Sequence, residues 1–173
     1  IIGMRGVGIG ANQSFEQSVG IYVDGVHYGK SRQVRTGLFD LQQVEVLRGP
    51  QGILFGKNTL AGAINITSAS PQVGQEMGGK IAVIAESFGG QTIEGNFSGS
   101  LTDSLALRFA YKERQGDGHL DNTYPDTEVS KMPTVDESMW RVTALWEPTD
   151  TTSVEIKHSE SEFIRMGANP LVT

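Results

Sequence analysis

The sequence predicts a small α+β unit, a mixed sheet with short helices, followed by antiparallel strands of an incomplete transmembrane β-barrel. Three observations predict it. Residues 40–67 hold two β-type runs, 44–47 and 63–67, around a turn punctuated by Gly49, Gly52, Gly56 and Gly62, positions where backbone turns sharply or approaches other backbone closely. From Gly78 onward the pattern changes to an alternation of period two. No run of about 18 apolar residues exists to form a membrane helix, whereas a spanning β-strand needs only about 9–11 alternating residues.

The elements follow in order. Residues 1–7 and 19–26 are rich in β-branched side chains and read as strands. Residues 8–18 form a polar loop, and residues 28–37 a second loop carrying Lys30, Arg32 and Arg35. A short helix is expected over residues 38–43 and a single helical turn over 51–55. This first part holds little apolar material and is poorly equipped to stand alone. In residues 92–101, Ile93, Gly95, Phe97, Gly99 and Leu101 alternate with Thr92, Glu94, Asn96, Ser98 and Ser100. Leu105, Leu107, Phe109 and Tyr111 alternate with Ala106, Arg108, Ala110 and Lys112; Trp140, Val142, Ala144 and Trp146 with Arg141, Thr143, Leu145 and Glu147; Val154, Ile156 and His158 with Glu155, Lys157 and Ser159. Residues 79–88 form a less regular strand, because Ala82 and Ile84 are apolar where polar residues are due.

Alternation alone fits any half-buried antiparallel sheet. Two features favour a membrane barrel. The connections at 102–104 and 148–151 are short while 115–138 is long, and outer-membrane barrels place short turns on the periplasmic side and long loops outside. Trp140 and Trp146 share the apolar face, and six residues span about 20 Å along a strand, so each ring is a candidate for a membrane girdle. A soluble β-sandwich with a tryptophan-rich core is the alternative.

Composition narrows the function classes. Cysteine is absent, which excludes disulfides and thiolate metal sites. Residues 1–71 carry six basic and four acidic side chains, a net +2, and residues 72–173 carry eight and sixteen, a net −8; the two parts are placed to attract each other, or both are ordinary solvated surfaces. Gly6-Val7-Gly8-Ile9-Gly10 lacks the apolar-faced helix that a dinucleotide fingerprint needs. Gly52–Asn58 is one residue short of a phosphate loop, and Asn58 stands where magnesium needs Ser or Thr. His27, His119 and His158 have no ligand spacing. The acidic residues between 116 and 138 lack the ligand order of an EF-hand, and no grouping suggests a catalytic triad. No enzyme activity, metal, cofactor or nucleic-acid partner is expected. Glu45 and Arg48, three apart on a strand, lie on opposite faces and need separate partners.

The stretch Val44-Glu45-Val46-Leu47-Arg48-Gly49-Pro50, then Leu54-Phe55-Gly56, then Gly62-Ala63-Ile64-Asn65-Ile66 resembles the plug of the TonB-dependent outer-membrane receptors. Ile2-Gly3-Met4-Arg5-Gly6 and Ile21-Tyr22-Val23-Asp24-Gly25-Val26 match two earlier pieces of that pattern in the right order. Ala61 departs from it, standing where many members carry a second glycine. The resemblance implies an N-terminally truncated plug over residues 1–71, a linker over 72–78, and about the first five strands of a C-terminally truncated barrel over 79–173. Such transporters resemble barrels of about 22 strands with a plugged lumen. Its signature residues here are Arg5, Asp24, Gly25, Glu45, Arg48, Gly49, Pro50, Gly56, Gly62 and Asn65.

The same resemblance implies energised uptake of a scarce nutrient across the bacterial outer membrane. A ferric siderophore is the first expectation; an oligosaccharide, haem or cobalamin is the alternative, and a passive porin, an adhesin barrel or a soluble binding module the rival. The implied partners are the outer-membrane lipid, the ligand, and TonB, which would grip a segment before Ile1. Gln13, Tyr28, Lys30 and Arg32 are the candidates to face an anionic or polyhydroxy ligand. Arg5 and Arg48 would either clamp to the wall carboxylates Glu94, Glu147 and Glu155 or bind backbone carbonyls of the plug itself.

Overall fold

A computed structural model describes residues 3–4, 7–8, 18–29, 38–56, 59–121 and 131–166. The chain divides into two compact units, Ile1–Ala69 and Ser70–Thr173.

The first unit is built on a four-stranded mixed sheet. Its strands are β3 (Val19–Val23), β4 (Val26–Tyr28), β5 (Leu41–Arg48) and β6 (Gly62–Ser68), in the order β4-β3-β6-β5. β3 and β6 run parallel; the other pairs are antiparallel. Val19, Ile21, Phe39, Ala63 and Ile66 are buried, so the two central strands carry the core. A separate two-residue pair, β1 (Gly3–Met4) and β2 (Val7–Gly8), runs antiparallel. The strand expected over residues 1–7 is therefore two strands.

Two further expectations are corrected. Residues 19–26 are not one strand: Asp24 and Gly25 both have positive φ, +49° and +79°, and close a two-residue hairpin between β3 and β4. Asp-Gly is a strong signal for that turn, because its central residues must enter the left-handed region. The helix expected over residues 38–43 is absent. Leu41 starts β5, pairing with Ser68, and Val44 pairs with Ile66. Asp40, at φ +50°, turns its carbonyl to accept the Ala69 N–H at 2.9 Å. Ladder bonds to β6 outweigh the helix preference of Leu-Gln-Gln, which amounts to tenths of a kcal/mol per residue. The single turn does form, as α1 (Gly52–Phe55).

The second unit is an antiparallel meander. Its strands are β7 (Gly78–Ala85), β8 (Gln91–Thr102), β9 (Leu105–Gly116), β12 (Thr134–Thr149) and β13 (Thr152–Met166), in the order β13-β12-β9-β8-β7. A small pair, β10 (Leu120–Asp121) and β11 (Lys131–Met132), lies between β9 and β12. The sheet is open, with β7 and β13 at its edges. β9 and β12 run further than the alternation suggested. Past Tyr111 and Trp140 the apolar face turns polar, as Glu113, Gln115, Ser138 and Asp136 follow. The hydropathy signal fades there while backbone pairing continues. Asp136 and Glu137, expected in a loop, belong to β12.

The segment before β7 is strapped to the sheet. Ser100 Oγ accepts the Gly74 N–H at 2.6 Å, and the Ser100 N–H donates to the Gln75 carbonyl at 2.9 Å. Gly99 allows this approach, since a Cβ there would lie 2.6 Å from Met77 Cα.

Candidate functional site

In the first unit the signature residues form a set of latches around β6. The β3–β4 hairpin puts the Asp24 carboxylate over the end of β6, where Oδ1 accepts the Ser68 N–H at 2.8 Å and Oδ2 accepts the Ser68 hydroxyl at 2.6 Å. The Asp24 N–H donates to the Ile66 carbonyl at 2.9 Å. Ser68 is fully buried, so these bonds satisfy groups that water does not reach. Glu45 and Asn65 are direct cross-strand partners, and Asn65 Nδ2 donates to Glu45 Oε2 at 2.8 Å.

A second latch holds the glycine-punctuated turn. Gly49 N–H donates to the Ala61 carbonyl at 3.1 Å, Gln51 N–H to the Thr59 carbonyl at 3.0 Å, and Ala61 N–H to the Ser18 carbonyl at 2.9 Å. Gly56, at φ +72° and ψ −134°, ends α1 in a conformation essentially reserved for glycine. Its carbonyl accepts the Thr59 hydroxyl at 2.7 Å. The Tyr22 hydroxyl donates to the Phe55 carbonyl, and the Tyr22 ring packs on Phe55 and His27 at centroid distances of 4.8 and 5.0 Å. Burial raises the Tyr22 pKa above its ordinary value, keeping the phenol a donor. Ala61 is buried and closes against Ser18, so the departure from glycine costs no clash.

In the second unit the register sorts the side chains into two faces. Lys80, Arg108, Lys112, Arg114, Arg141, Lys157 and Arg165 all fall on one face, with Glu94, Glu137 and Glu155 among them. Four ion pairs are visible on it. Arg114 grips Glu86 through Nε at 3.0 Å and Nη2 at 2.8 Å. Arg165 binds Glu137, with Nε at 3.1 Å. Lys112 lies 3.7 Å from Glu94, and Lys157 lies 3.0 Å from Glu155. The opposite face carries Ile81, Val83, Ile93, Phe97, Leu107, Phe109, Val142 and Ile156. Most of these are exposed, Ile81 by 83% and Phe97 by 53%. A half-charged, half-apolar single sheet is what a wall between water and lipid requires.

The predicted site residues fall as follows. Asp24, Gly25, Glu45, Gly49, Gly56, Gly62 and Asn65 lie in the latches or the ladder beside them. Pro50 stands beyond the end of β5, after Gly49, and Arg48, exposed and opposite Gly62, lies on the other face of β5 from Glu45. Tyr28 is half-buried in β4 opposite Ile21. Arg5, Gln13, Lys30 and Arg32 lie outside the described residues. The wall carboxylates have wall partners: Glu94 and Glu155 the lysines above, Glu147 the Ser153 hydroxyl at 3.3 Å. Trp140 and Trp146 share the apolar face, Trp140 beside His158 at 5.2 Å and Trp146 49% exposed. Sequence reasoning missed Ser68, Thr59 and Glu86, and gave Tyr22 no role beyond its place in the matched piece. Ser68 and Thr59 hold up the motif from outside its letters, and Glu86 belongs to a turn without a period. Among the described residues no group of three or more His, Asp or Glu gathers to hold a metal.

Residues 2–63 match the family model described as the TonB-dependent receptor plug domain. The pesticin receptor of Yersinia pestis is 43% identical over 70 residues, which cover 40% of this chain and 10% of that protein. The ferric yersiniabactin uptake receptor FyuA from Yersinia pestis aligns with both units, at a TM-score of 0.76 and 29% identity over 89% of this chain and 24% of that one. The segment 2–63 is a TonB-dependent receptor plug domain. The pyoverdine outer membrane receptor FpvA from Pseudomonas aeruginosa shares the receptor's fold at a TM-score of 0.69 and 18% identity, over 87% of this chain and 21% of that one. The receptor chain thus spans about a tenth of its curated relatives and about a quarter of its solved ones. Like its family, the receptor is a bacterial outer-membrane protein. Among the described residues of the second unit, no second sheet packs on the apolar face as a soluble sandwich would need.

Proposed function

We propose that this chain is the plug and opening barrel wall of a receptor that imports a ferric siderophore with energy supplied through TonB. The alignment with a ferric-siderophore uptake receptor across both units carries the reading. The division of labour in the structure supports it. The first unit is a small sheet cross-tied at its strand ends, suited to move as one body when pulled. The second is a wall whose charged face is held in ion pairs, suited to line an aqueous passage. Binding would fall to the plug loops, with Gln13, Tyr28, Lys30 and Arg32 offering cationic and hydrogen-bonding groups to an anionic chelate. Relatives of this chain carry the names of transport receptors rather than enzymes, in keeping with a role in transport.

The test is uptake of radiolabelled iron, supplied as a panel of ferric chelates, by cells expressing the full-length receptor under iron starvation. The expected result is uptake of at least one chelate that disappears when TonB is deleted. Uptake that persists without TonB would leave a passive pore. Uptake of a non-ferric nutrient alone would keep the transporter and replace its cargo.

A further inference from the structure

The chain that leaves the first unit is short and stiff before it is caught again. Ala69 is tied into that unit, its N–H donating to the Asp40 carbonyl at 2.9 Å. Gln72 already accepts a bond from the wall. Only Ser70 and Pro71 lie between them. Pro71 is fully buried, and its ring fixes its own φ and biases Ser70 toward extended backbone. Tension on the first unit therefore reaches Gln72 with little slack.

There it meets one residue. The Ser100 hydroxyl donates to the Gln72 carbonyl at 3.3 Å and accepts the Gly74 N–H at 2.6 Å, and the Ser100 N–H donates to the Gln75 carbonyl at 2.9 Å. Residues 72–75 form a tight turn, closed by the Gln75 N–H on the Gln72 carbonyl at 3.3 Å. Gly74 stands third in it at φ +83°, where a type II turn needs a left-handed residue. The path is then interlocked by shape. Met77 lies across Gly99, where a Cβ would stand 2.6 Å from Met77 Cα and 2.7 Å from its Sδ. Only after this does β7 begin, pairing Gly78 with Ser98.

Bonds that water reaches hold little singly; geometry decides how they share a load. An antiparallel ladder pulled from one end opens a rung at a time. Every residue of β7 is exposed, and the strand sits at a sheet edge, so peeling from Gly78 would meet its bonds to β8 one by one. The three bonds on Ser100 converge on one point, and the strap leaves only when all of them break. A further strand on the free edge of β7 would add rungs and keep the clasp first in line.

We propose that Ser100 is a load stop, a clasp that takes tension arriving through Pro71 and keeps it from unzipping β7 from β8. This role rests on the reading above, in which the first unit is drawn on during transport. It leaves that unit movable and the wall's opening strand fixed.

The experiment is single-molecule pulling at constant force on the full-length receptor in a tethered nanodisc, with the handle at Ser70→Cys so that the first unit carries no load. In the parent the strap and β7 should leave in one step, because the ladder fails once the clasp has gone. Ser100→Ala should shorten the dwell before the first step about tenfold, the effect of losing two side-chain hydrogen bonds. Gly74→Ala has open space for its methyl but resists the left-handed φ, and should shorten the dwell by about the same factor; it reads the same clasp should Ser100→Ala fail to assemble. The double variant should add little to either single one, since both disable one device. Thr102→Ala, which removes the acceptor of the Ser104 N–H in the next turn, is the control. Dwell times within about threefold of the parent in both single variants, effects that multiply in the double variant, or a parent strap that leaves early while β7 holds would each overturn the load stop. The instrument supplies the pull, so such a failure would leave TonB-driven uptake standing, and loss of TonB dependence in the uptake assay would leave the clasp's dwell times untouched.

Discussion

The Asp24 latch gives the sharpest test of how the plug sheet is held. Asp24→Ala deletes the acceptor of two charge-assisted bonds and leaves the Ser68 N–H and hydroxyl, both on a fully buried residue, without it. It also puts alanine at φ +49°, a conformation that costs an L-residue roughly 1–2 kcal/mol. Removing a partner from buried polar groups costs about 1–3 kcal/mol. The sum, allowing for water entering near the exposed side of Asp24, is about 2–4 kcal/mol. Asp24→Asn keeps an acceptor and tolerates the left-handed turn, so only the charge assistance is lost, about 1 kcal/mol. Amide hydrogen exchange in the full-length receptor reads this directly at Ser68 and Ile66. Asp24→Ala should speed exchange about 30- to 700-fold and Asp24→Asn about fivefold, since 1.4 kcal/mol is tenfold. A cycle with Ser68→Ala should show coupling of about 1 kcal/mol or more between the two residues. Rates within threefold of the parent in Asp24→Ala, or no coupling in the cycle, would refute the latch.

The other predictions concern packing, sidedness and pH. Gly20→Ala would place a Cβ 2.5 Å from Thr59 Cγ2 and 2.9 Å from the Tyr22 ring; overpacking of this kind costs about 1–3 kcal/mol, and Thr59→Ser should restore part of the lost exchange protection. Val142→Arg puts a charge on the lipid face at about 2–4 kcal/mol near the midplane and should cut the folded, heat-modifiable receptor in outer membranes, while Leu145→Lys, on the charged face opposite Glu155, should not. Glu86 is held below its ordinary pKa first by its hydrogen bond from Arg114, then by that from Thr92. A depressed carboxylate contributes its stability above the unfolded pKa and loses it as pH falls through the folded one. Protection of the β7–β8 turn should therefore persist from neutral pH to about 5 and fade only below the normal carboxylate range, and Glu86→Gln should abolish that dependence.

Much of this architecture was legible because two kinds of signal are local. The alternation from Thr92 to Ser100 and from Trp140 to Trp146 names its own faces, and the observed register agrees residue by residue; a bulge at Leu101 ends the agreement. The glycines of the plug turn announce conformations that other residues resist. What stayed hidden depends on partners far along the chain. Leu41 to Gln43 are strand only because β6 lies beside them. Glu137 reads as loop until Arg165 crosses from β13 to meet it. The Asp24-Gly25 turn was legible and was passed over, because the β-branched residues on either side suggested a continuous strand. Ser68 gives no hint of its importance, since its partner lies 44 residues away.

The sorting of charge between the two faces of the wall has a consequence for how the sheet is put together. Offsetting β9 by a single residue against its neighbours would turn Arg108, Lys112 and Arg114 toward hydrocarbon and Leu107, Phe109 and Tyr111 toward water. Each misplaced cation in the bilayer's centre forfeits roughly 2–4 kcal/mol, so the erroneous alignment is rejected by the solvent itself. For a wall of this composition the choice of phase is written into the solvent on either side, and the membrane disfavours the wrong one.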